Sequence, residues 1–573
     1  MRCQGYPRLM QHFSRGAWVY NPFTHYKAHI WPDRNTNGGQ IRPRHFIGGG
    51  DIQLVEARSE GQKSVNGRTS ILINVSAEDS YVLDLVRLAG GQRHYLAVPG
   101  LSMHRKVTTS GLALTRQKGG TVAGDDIGHW EVKKARERFQ SDYMQGLTAY
   151  YNVAWSPVNQ PWWVDWQAEN SDPAAIHLRY HQLSQPKTRV ALADGEPFKK
   201  TENDVKLRAC FTVREGGDNL VSQFAGLFEY YEGKPFIDSI TPLKMKTGQK
   251  GVFTPIGVRI KSGIQEDIVL VSGLQLSGDA RPARERIQNS QGTFKLTGEY
   301  GFVSNRGGKL HAALLINGTE LTAGGFTVRQ GKANHAARIV GVDYPSRSIT
   351  ISPVPDVPKA IIGEYIVISS QHRQAMLRVE NVVKDADEKC TLKLDADPLI
   401  GEGVAERFDD HQIITPQKFF LAGNKYYKGA VLTNESGQTR LRLIKATKAG
   451  VVFVDPAHGE ATTEFLNERF KDGPDKGILR NIYIYDYGIG DAVTIHLPVR
   501  ISSVEKTHLT LKAHQPVTIS LKSNDKGPAS ISYREHGEKE WTAATFIETD
   551  KERTFQIPLN TDSAGAKELK ISE

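Results

Sequence analysis

The chain has 573 residues, with 73 Lys and Arg against 63 Asp and Glu, so its formal net charge is +10. Hydrophobic residues make up 39% of it, which is enough to fill packed cores and excludes wholesale disorder. No run of about 18 apolar residues occurs, so the sequence contains no membrane-spanning helix. Glycine shows no three-residue period and no heptad pattern persists, which excludes collagen and coiled coil.

The N-terminal segment combines aromatic density with a pair of histidines. His25 and His29 are four residues apart in 24–33, a spacing that would place two imidazoles on one face of a helix, as a zinc site requires. Pro22 and Pro32 bracket the segment and favour a strand, on which the two rings would be about 13 Å apart. From spacing alone, hydrogen-bonded or exposed histidines are the more ordinary interpretation.

Alternation of apolar and polar residues, bounded by Gly, Asn and Asp, dominates the chain after residue 70. It is clearest in 70–91, 252–263, 267–278 and 293–305 and predicts half-buried antiparallel strands joined by tight turns. The best helix candidate is 131–146, which is short and charged. We therefore predict an all-β chain of several antiparallel β-sandwich domains in tandem.

Three tryptophans lie within five residues in 155–167. The alternation of Trp162, Val164 and Trp166 fits an inward face, whereas Trp163 is expected to point outward. An outward indole can stack against the apolar face of a sugar ring, so Trp163 is our candidate substrate-binding residue. Burial in a core is the alternative for all three rings.

A strand is also predicted over 175–183. Leu178 and Tyr180 would lie on one face, and His177, Arg179 and His181 on the other. The ordinary interpretation of the second face is a solvated basic surface, and a pair of metal ligands is the less common one.

Soft breaks near 241–251, 398–403 and 499–508 divide the chain into four expected units. These are residues 1–245, 246–410, 411–500 and 501–573, the last a small sandwich. The three cysteines are far apart and odd in number, which predicts buried thiols rather than a disulfide framework or a metal site. No signal peptide is visible in this chain.

The positive surplus favours an anionic partner. Basic residues are interleaved with acidic ones, and no run of five occurs, so we expect neither a nucleic acid nor a membrane as partner. An acidic polysaccharide fits, and a homo-oligomer is compatible with the sequence. Catalytic motifs such as GxSxG, HExxH and the P-loop are missing, while a carboxylate pair of the glycosidase type stays an alternative.

The stretch 70–100 resembles the C-terminal β-sandwich region of the heparinase II/III-like polysaccharide lyases. The likeness spans about residues 1–400, continues at 162–167 and 333–353, and is clearest in two groups of residues. They are Tyr81, Val82, Asp84, Arg87, Gly90, Gly91 and His94, and Glu229, Tyr231, Gly233, Pro235 and Phe236.

That resemblance implies β-elimination on a uronate-containing glycan, in a periplasmic or secreted protein. The family carries its acid and base on an α/α-toroid that has no counterpart here, so we expect no catalytic residue in this chain and little or no activity alone. The family's last zinc ligand is best matched by His25, with His29 as the runner-up, and Cys3 stands where the family has a zinc-binding Asp. Zinc is therefore implied for the intact protein, whereas one ligand in this chain cannot hold it.

A non-catalytic module that binds acidic glycans or has a structural role is the competing function. In either case the partner would be an anionic polysaccharide.

Overall fold

The fold was analysed in a computed structural model of the chain. It describes residues 13–14, 17–18, 28–31, 41–60, 65–100, 104–139, 144–168, 176–183, 187–195, 207–248, 253–273, 286–384, 388–418, 426–437, 439–455, 462, 464, 466, 468, 480–505, 508–522, 530–535, 540–549, 552–558 and 566–572.

Strands predominate in the N-terminal part of the chain. They are β1 (Phe13–Ser14), β2 (Ala17–Trp18), β3 (Ala28–Trp31), β4 (Ile41–Ile47), β5 (Ile52–Glu60), β6 (Val65–Asn74), β7 (Ser80–Ala89), β8 (Arg93–Val98), β9 (His104–Ser110), β10 (Thr115–Arg116), β11 (Tyr150–Val158), β12 (Trp162–Ala168), β13 (Ile176–Gln182), β14 (Thr188–Gly195), β15 (Leu207–Glu215) and β16 (Val221–Glu232). The helix expected in 131–146 is α1 (Val132–Phe139), followed by a 3₁₀ helix (Met144–Ala149).

The middle of the chain continues in the same way. Its strands are β17 (Ser239–Leu243), β18 (Met245–Thr247), β19 (Ile256–Ser262), β20 (Gln265–Val271), β21 (Arg286–Asn289), β22 (Phe294–Thr297), β23 (Tyr300–Arg306), β24 (Lys309–Ile316), β25 (Glu320–Ala323), β26 (Phe326–Gln330), β27 (Asn334–Asp343), β28 (Ser348–Ser352), β29 (Tyr365–Ser369), β30 (Gln374–Lys384) and β31 (Cys390–Leu394). A second 3₁₀ helix (Pro358–Ile361) precedes β29.

The C-terminal part is also made of strands. They are β32 (Leu399–Ala405), β33 (Arg407–Asp409), β34 (Gln412–Ile414), β35 (Val431–Thr433), β36 (Arg440–Ala446), β37 (Val451–Val454), β38 (Arg480–Tyr485), β39 (Ala492–His496), β40 (Val499–Glu505), β41 (His508–Lys512), β42 (Val517–Lys522), β43 (Ser530–Glu535), β44 (Thr542–Ala543), β45 (Thr545–Thr549), β46 (Glu552–Ile557) and β47 (Ala566–Ser572). With 64% strand and 4% helix, the all-β prediction is confirmed.

Apart from the β1–β2 pair, the described strands form five sheets and one closed barrel. Sheet I has the order β10-β11-β14-β15-β8-β3, and sheet II the order β4-β5-β6-β7-β16-β13-β12-β9. Sheet III is β17-β19-β20-β23-β24-β40-β41-β47-β43-β44, and sheet IV is β18-β21-β22-β25-β26-β42-β46-β45. The barrel is β27-β28-β31-β30-β29-β39, and sheet V is β32-β38-β35-β36-β37-β34-β33.

Local turn chemistry explains how β6, β7 and β8 follow one another. The Ser76 hydroxyl oxygen accepts the backbone N–H of Asp79 at 2.9 Å and closes the turn between β6 and β7. Gly90 and Gly91 follow β7 with φ of +102° and +67°, a backbone region that other residues rarely adopt. The Gly-Gly step noted in the sequence is therefore a turn requirement.

Sheets I to IV stack in sequence, and three apolar cores lie between them. Trp166 and Leu192 belong to the core between sheets I and II. Leu83 of sheet II packs in one core with Leu314 of sheet III. Leu315, the next residue of β24, belongs to the core between sheets III and IV. Sheets II and III are thus buried on both faces, which makes the stack one continuous packed body.

Sheets III and IV form the second sandwich of the stack. The barrel and sheet V are inserted in the chain between the strands of that sandwich. β40 pairs with β24 and β42 pairs with β26, so residues 499–522 complete sheets that residues 309–330 begin. The sequence analysis placed a domain boundary near 500, and the strand pairing runs across it. Strand pairing also runs across the breaks near 245 and 410, and the division into four units stays a prediction.

Two buried cysteines fit the prediction of structural thiols. Cys210 lies in the core between sheets I and II, and Cys390 lies in the barrel core. Burial raises the pKa of Cys210. Cys3 lies outside the described residues. In the described part of the chain, no helix has the length and apolar character needed to cross a bilayer.

The core between sheets II and III predicts the effect of truncating Leu314, which is 3% exposed. Leu314→Ala should lower the free energy of unfolding by about 2–5 kcal/mol, because the lost methyl groups leave a cavity. Urea denaturation followed by fluorescence measures the change. The control is Ile264→Ala, whose side chain is 73% exposed and should change the free energy by less than about 0.5 kcal/mol. Equal losses in both variants would contradict this packing.

Candidate glycan-binding site

A cavity of about 350 Å³ opens between sheets II and III. Sheet II contributes Trp163, Arg179 and His181 to its wall, and the segment 237–240 closes the other side. The volume lies at the lower end of the range typical of ligand pockets. Its lining combines the Trp163 ring, the basic side chains Arg179 and His181, and one acidic residue, Asp238.

Strand alternation places these side chains. Trp162 and Trp166 are buried in the core between sheets I and II, as predicted, and Trp163 lies on the opposite face, half-buried. Trp163 is the cross-strand partner of His181, and Asp165 is the partner of Arg179. Residues directly opposite each other on one face are within contact distance. The neighbouring β12 and β13 therefore supply the site together.

Arg179 is the centre of the polar network beside the cavity. Its Nε donates to Asp165 Oδ2 at 2.8 Å, and its Nη2 donates to the Tyr231 hydroxyl at 3.0 Å. The guanidinium lies 4.3 Å from the centroid of the Trp163 ring, a cation–π contact. The hydrogen bonds to Asp165 and Tyr231 thus fix the plane of the guanidinium against the Trp163 ring.

Asp165 is only 3% exposed and accepts from three donors. Besides Arg179, these are His177 Nδ1 at 2.6 Å and the Tyr231 hydroxyl at 2.5 Å. Burial, and secondarily the hydrogen bond to Asp165, raise the pKa of Tyr231. The phenol therefore stays protonated near neutral pH and stacks on the His177 ring, with centroids 4.8 Å apart. The Tyr231 hydroxyl thus accepts from Arg179 and donates to Asp165.

Glu229 connects the site to the loop that closes the cavity. One of its oxygens contacts His181 Nε2 at 3.0 Å, and the other accepts the backbone N–H groups of Phe236 and Ile237 at 2.7 and 2.8 Å. Ile237 lines the cavity. Glu229 is thus a positioning residue: it holds the His181 ring and the backbone at Phe236 and Ile237 in fixed positions relative to each other.

These contacts correct one interpretation of the sequence. His177, Arg179 and His181 do share one face of β13, as predicted, but that face is not a solvated basic surface. Their side chains are only 17%, 16% and 14% exposed, because the buried carboxylates Asp165 and Glu229 lie opposite them. Strand alternation gives the face of a side chain but not the charge that it meets.

Several residues that carry the family resemblance have structural roles. Tyr81 donates to Asp267 of sheet III at 2.7 Å, and Arg87 Nη2 donates to the carbonyl of Ser272 at 2.7 Å. Both bonds link sheet II to sheet III. Arg68 donates to Asp84 at 2.6 Å within sheet II.

His94 is fully buried behind the Gly-Gly turn. Its ring bonds the Ser222 hydroxyl at 2.8 Å and the Gly90 carbonyl at 2.7 Å. Burial lowers the pKa of His94 to about 4, with the Gly90 bond opposing and Arg214 adding to the shift. His94 is therefore a neutral structural histidine at neutral pH.

The predicted zinc-ligand histidines lie at the edge of what the structure describes. His25 lies outside the described residues. His29 is in β3, where its backbone pairs with Tyr95 of β8, and its side chain is not described. Both residues stay predictions as metal ligands.

A second polar cluster escaped the sequence analysis. His45, Glu56 and Glu299 have ligand atoms that all lie within 4.8 Å of one another. No sequence motif could reveal it, because His45 and Glu299 are 254 positions apart. The cross-strand pairing of His45 with Glu56 depends on a bulge that the alternation does not show.

Comparison with known proteins gives little. No family model matches the chain, and no curated protein does. Two solved structures of the heparan sulfate lyase HepC from Pedobacter heparinus, one of them a mutant, align with a TM-score of 0.26 and 11% identity. Each alignment covers 44% of this chain and 31% of the lyase, so the chain spans about a third of the length of those structures. A likeness of this size assigns the chain to no family.

The burial of His94 predicts a pH dependence of stability. Its folded pKa of about 4 lies below the unfolded value near 6.5, so the unfolded state binds more protons between these values. The stability that comes from burying a neutral His94 is fully present above the unfolded pKa. It is lost as the pH falls from there toward 4. Between about pH 7 and about pH 5 this should cost roughly 2 kcal/mol in wild type, and His94→Gln should lose that part of the slope.

Urea denaturation at several pH values measures this slope. Leu314→Ala is the control, because it weakens the fold while keeping His94, and it should keep the wild-type slope. His496 and His514, whose pKa values burial also lowers, are present in every variant and cancel in the comparison. An unchanged slope in His94→Gln would show that its protonation is not coupled to folding.

Proposed function

We propose that this chain is the β-sandwich part of a heparinase II/III-like lyase and that it binds a uronate-containing anionic polysaccharide at the cavity between sheets II and III. The observation that carries the binding proposal is the Arg179 guanidinium held against the Trp163 ring at the cavity wall. An arginine in a fixed plane suits carboxylate and sulfate groups, and an indole suits the apolar face of a sugar.

The hydrogen bonds of Arg179 support this role. Nε and Nη2 are used by Asp165 and Tyr231, and Nη1 makes no hydrogen bond to any residue that the structure describes. That nitrogen retains two N–H donors for an anionic group. His181 adds a second basic side chain to the same wall, and the +10 charge of the chain favours approach of a polyanion.

The lyase part of the proposal comes from the resemblance in 70–100 and 220–237. In β-elimination a base removes the C5 proton, a neutralised carboxylate stabilises the enolate-like intermediate, and an acid protonates the leaving oxygen. We assign the acid and base to a toroid outside this chain, so the chain contributes binding. Zinc, with His25 or His29 among its ligands, belongs to the intact protein in this proposal.

A non-catalytic acidic-glycan-binding module is the second candidate. It is favoured by the completeness of the Trp163–Arg179–His181 wall, which needs no further domain. The two candidates share the same binding site and differ in whether a lyase domain acts on the bound chain.

Binding is tested by calorimetry with heparan sulfate, heparin, alginate and ulvan oligosaccharides. Trp163→Ala and Arg179→Gln should each weaken binding about tenfold or more, equivalent to about 1.4 kcal/mol, and added salt should weaken wild-type binding. Trp130→Ala is the matched control, since this tryptophan is 38% exposed and lies outside the cavity. Melting curves verify that each variant is folded. Equal affinity in Trp163→Ala, Trp130→Ala and wild type would overturn the site.

Turnover is tested separately with the same polysaccharides, by the ultraviolet absorbance of the unsaturated product. We expect little or no product from this chain by itself, because the acid and base are assigned elsewhere. Clear formation of unsaturated ends would show that the chain has its own catalytic residues. Hydrolysis without unsaturated ends would instead indicate a glycosidase.

A further inference from the structure

A buried cluster of one imidazole and two carboxylates lies where sheets II and III meet the barrel. His45 is on β4 and Glu56 on β5, both of sheet II, and Glu299 immediately precedes β23 of sheet III. His45 and Glu56 are only 3% and 4% exposed. None of the three residues belongs to the Trp163 cavity.

A β-bulge brings two of these residues together. The register of β4 against β5 shifts between Pro43 and His45, and this makes His45 the direct partner of Glu56. The Tyr300 ring packs edge-on against His45, with centroids 5.7 Å apart, and holds the imidazole in place. Bulges that re-aim a side chain are over-represented next to functional sites.

The hydrogen bonds in the cluster are incomplete. His45 Nε2 bonds Glu299 Oε2 and lies 3.7 Å from Glu56 Oε2. Among the residues that the structure describes, neither Glu56 Oε2 nor His45 Nδ1 has a hydrogen-bond partner. A buried carboxylate oxygen without a partner is rare and calls for an explanation. Arg58 lies 3.8 Å from the other oxygen of Glu56, Oε1, and so does not satisfy Oε2.

One pair of donor atoms has the spacing of two metal ligands, whereas His45 Nε2 and Glu299 Oε2 are in direct hydrogen-bond contact and would separate when an ion binds. A zinc ion with nitrogen and oxygen ligands at their usual bond lengths places neighbouring ligand atoms roughly 3.3 Å apart. The 3.7 Å between His45 Nε2 and Glu56 Oε2 is close to this value. A cation there would also satisfy the Glu56 oxygen.

A second imidazole lies beside the cluster. His496, at the end of β39 in the barrel, is partly buried, and its ring centroid lies 4.4 Å from that of His45. Its Nδ1 has no hydrogen-bond partner within the described part of the chain. His496 would supply a fourth ligand only after a ring rotation that breaks its hydrogen bond to the Arg44 backbone.

We infer that His45, Glu56 and Glu299 form a binding site for a divalent transition-metal ion, with zinc as its reference ion, which links sheet II to the start of β23 in sheet III. Mixed imidazole and carboxylate donors suit Zn²⁺ and Mn²⁺, whereas Mg²⁺ and Ca²⁺ prefer oxygen alone. The ion would take the place of the hydrogen bond between His45 and Glu299. This site is separate from the one expected at His25 and His29.

The experiment uses the full chain, stripped with a chelator, loaded with Zn²⁺ and desalted. Metal content by mass spectrometry and affinity by competition with a zinc-binding dye are then measured. Glu56→Gln and Glu299→Gln keep the shape of the side chain and should each lower zinc affinity about 100-fold or more. Mg²⁺ should not compete.

Two control variants make the result specific. Glu320→Gln makes the same change in a surface ion pair with Arg329 and should bind zinc like wild type. A His25→Gln/His29→Gln double variant should also keep the ion. Loss of the ion only in that double variant would overturn the inference, as would equal zinc affinity in Glu56→Gln and wild type.

If the Glu→Gln variants fail to fold, the zinc ligands are identified directly in a protein that keeps all three cluster residues. X-ray absorption of zinc bound to the His25→Gln/His29→Gln protein should show imidazole scattering with only nitrogen and oxygen neighbours. Zinc should also raise the melting temperature of this protein. A spectrum without an imidazole ligand, or no retained zinc at all, would show that the cluster is a buried ion pair and not a metal site.

Discussion

Packing of sheet II against sheet III is the constraint on which the rest of the molecule depends. Each sheet already covers a core on its other face, so the shared core makes four sheets into one stack. Buried polar bonds such as Tyr81 to Asp267 fix the two sheets in register, because a slip would leave Asp267 without that donor. Both sites take residues from each of these two sheets. A shift between the sheets would therefore disrupt both of them.

The inserted barrel is tied to this stack by charge. Arg500 of β40 donates two hydrogen bonds to Glu364 at 2.7 and 2.6 Å, and Lys512 lies 2.8 Å from the same carboxylate. Burial has the largest single effect on the pKa of Glu364 and raises it. The combined effect of Arg500 and Lys512 outweighs burial, so the pKa is lowered. A buried carboxylate with two cationic partners holds the barrel in a defined orientation. That orientation brings His496 next to His45.

The two proposed sites differ in the sign of the ligand that we assign to them. At the cavity, a buried carboxylate holds an arginine in place, and the remaining guanidinium donors point to an anion. In the cluster of His45, Glu56 and Glu299, the carboxylate oxygens have too few hydrogen-bond donors, which favours a cation. We assign a polyanionic chain to the first site and a structural ion to the second. Binding of glycan and binding of metal should therefore be separable by substitution.

Strand periodicity accounts for what could be predicted from the sequence. The all-β class and the opposite faces of Trp162 and Trp163 follow from it, as does the common face of His177, Arg179 and His181. All of these depend only on the alternation of side chains along one strand. The zinc-ligand assignment of His25 and His29 stays a prediction, because neither side chain is described.

The sequence by itself thus determined the strands and the direction of their side chains, since both are local properties of the backbone. Only the tertiary structure decided which strands are neighbours: that residues after 499 complete sheets begun before 331, that Asp165 and Glu229 lie under a basic face, and that His45 meets Glu299. Pairing partners are set by packing between segments hundreds of residues apart, and no period within a single strand records that choice.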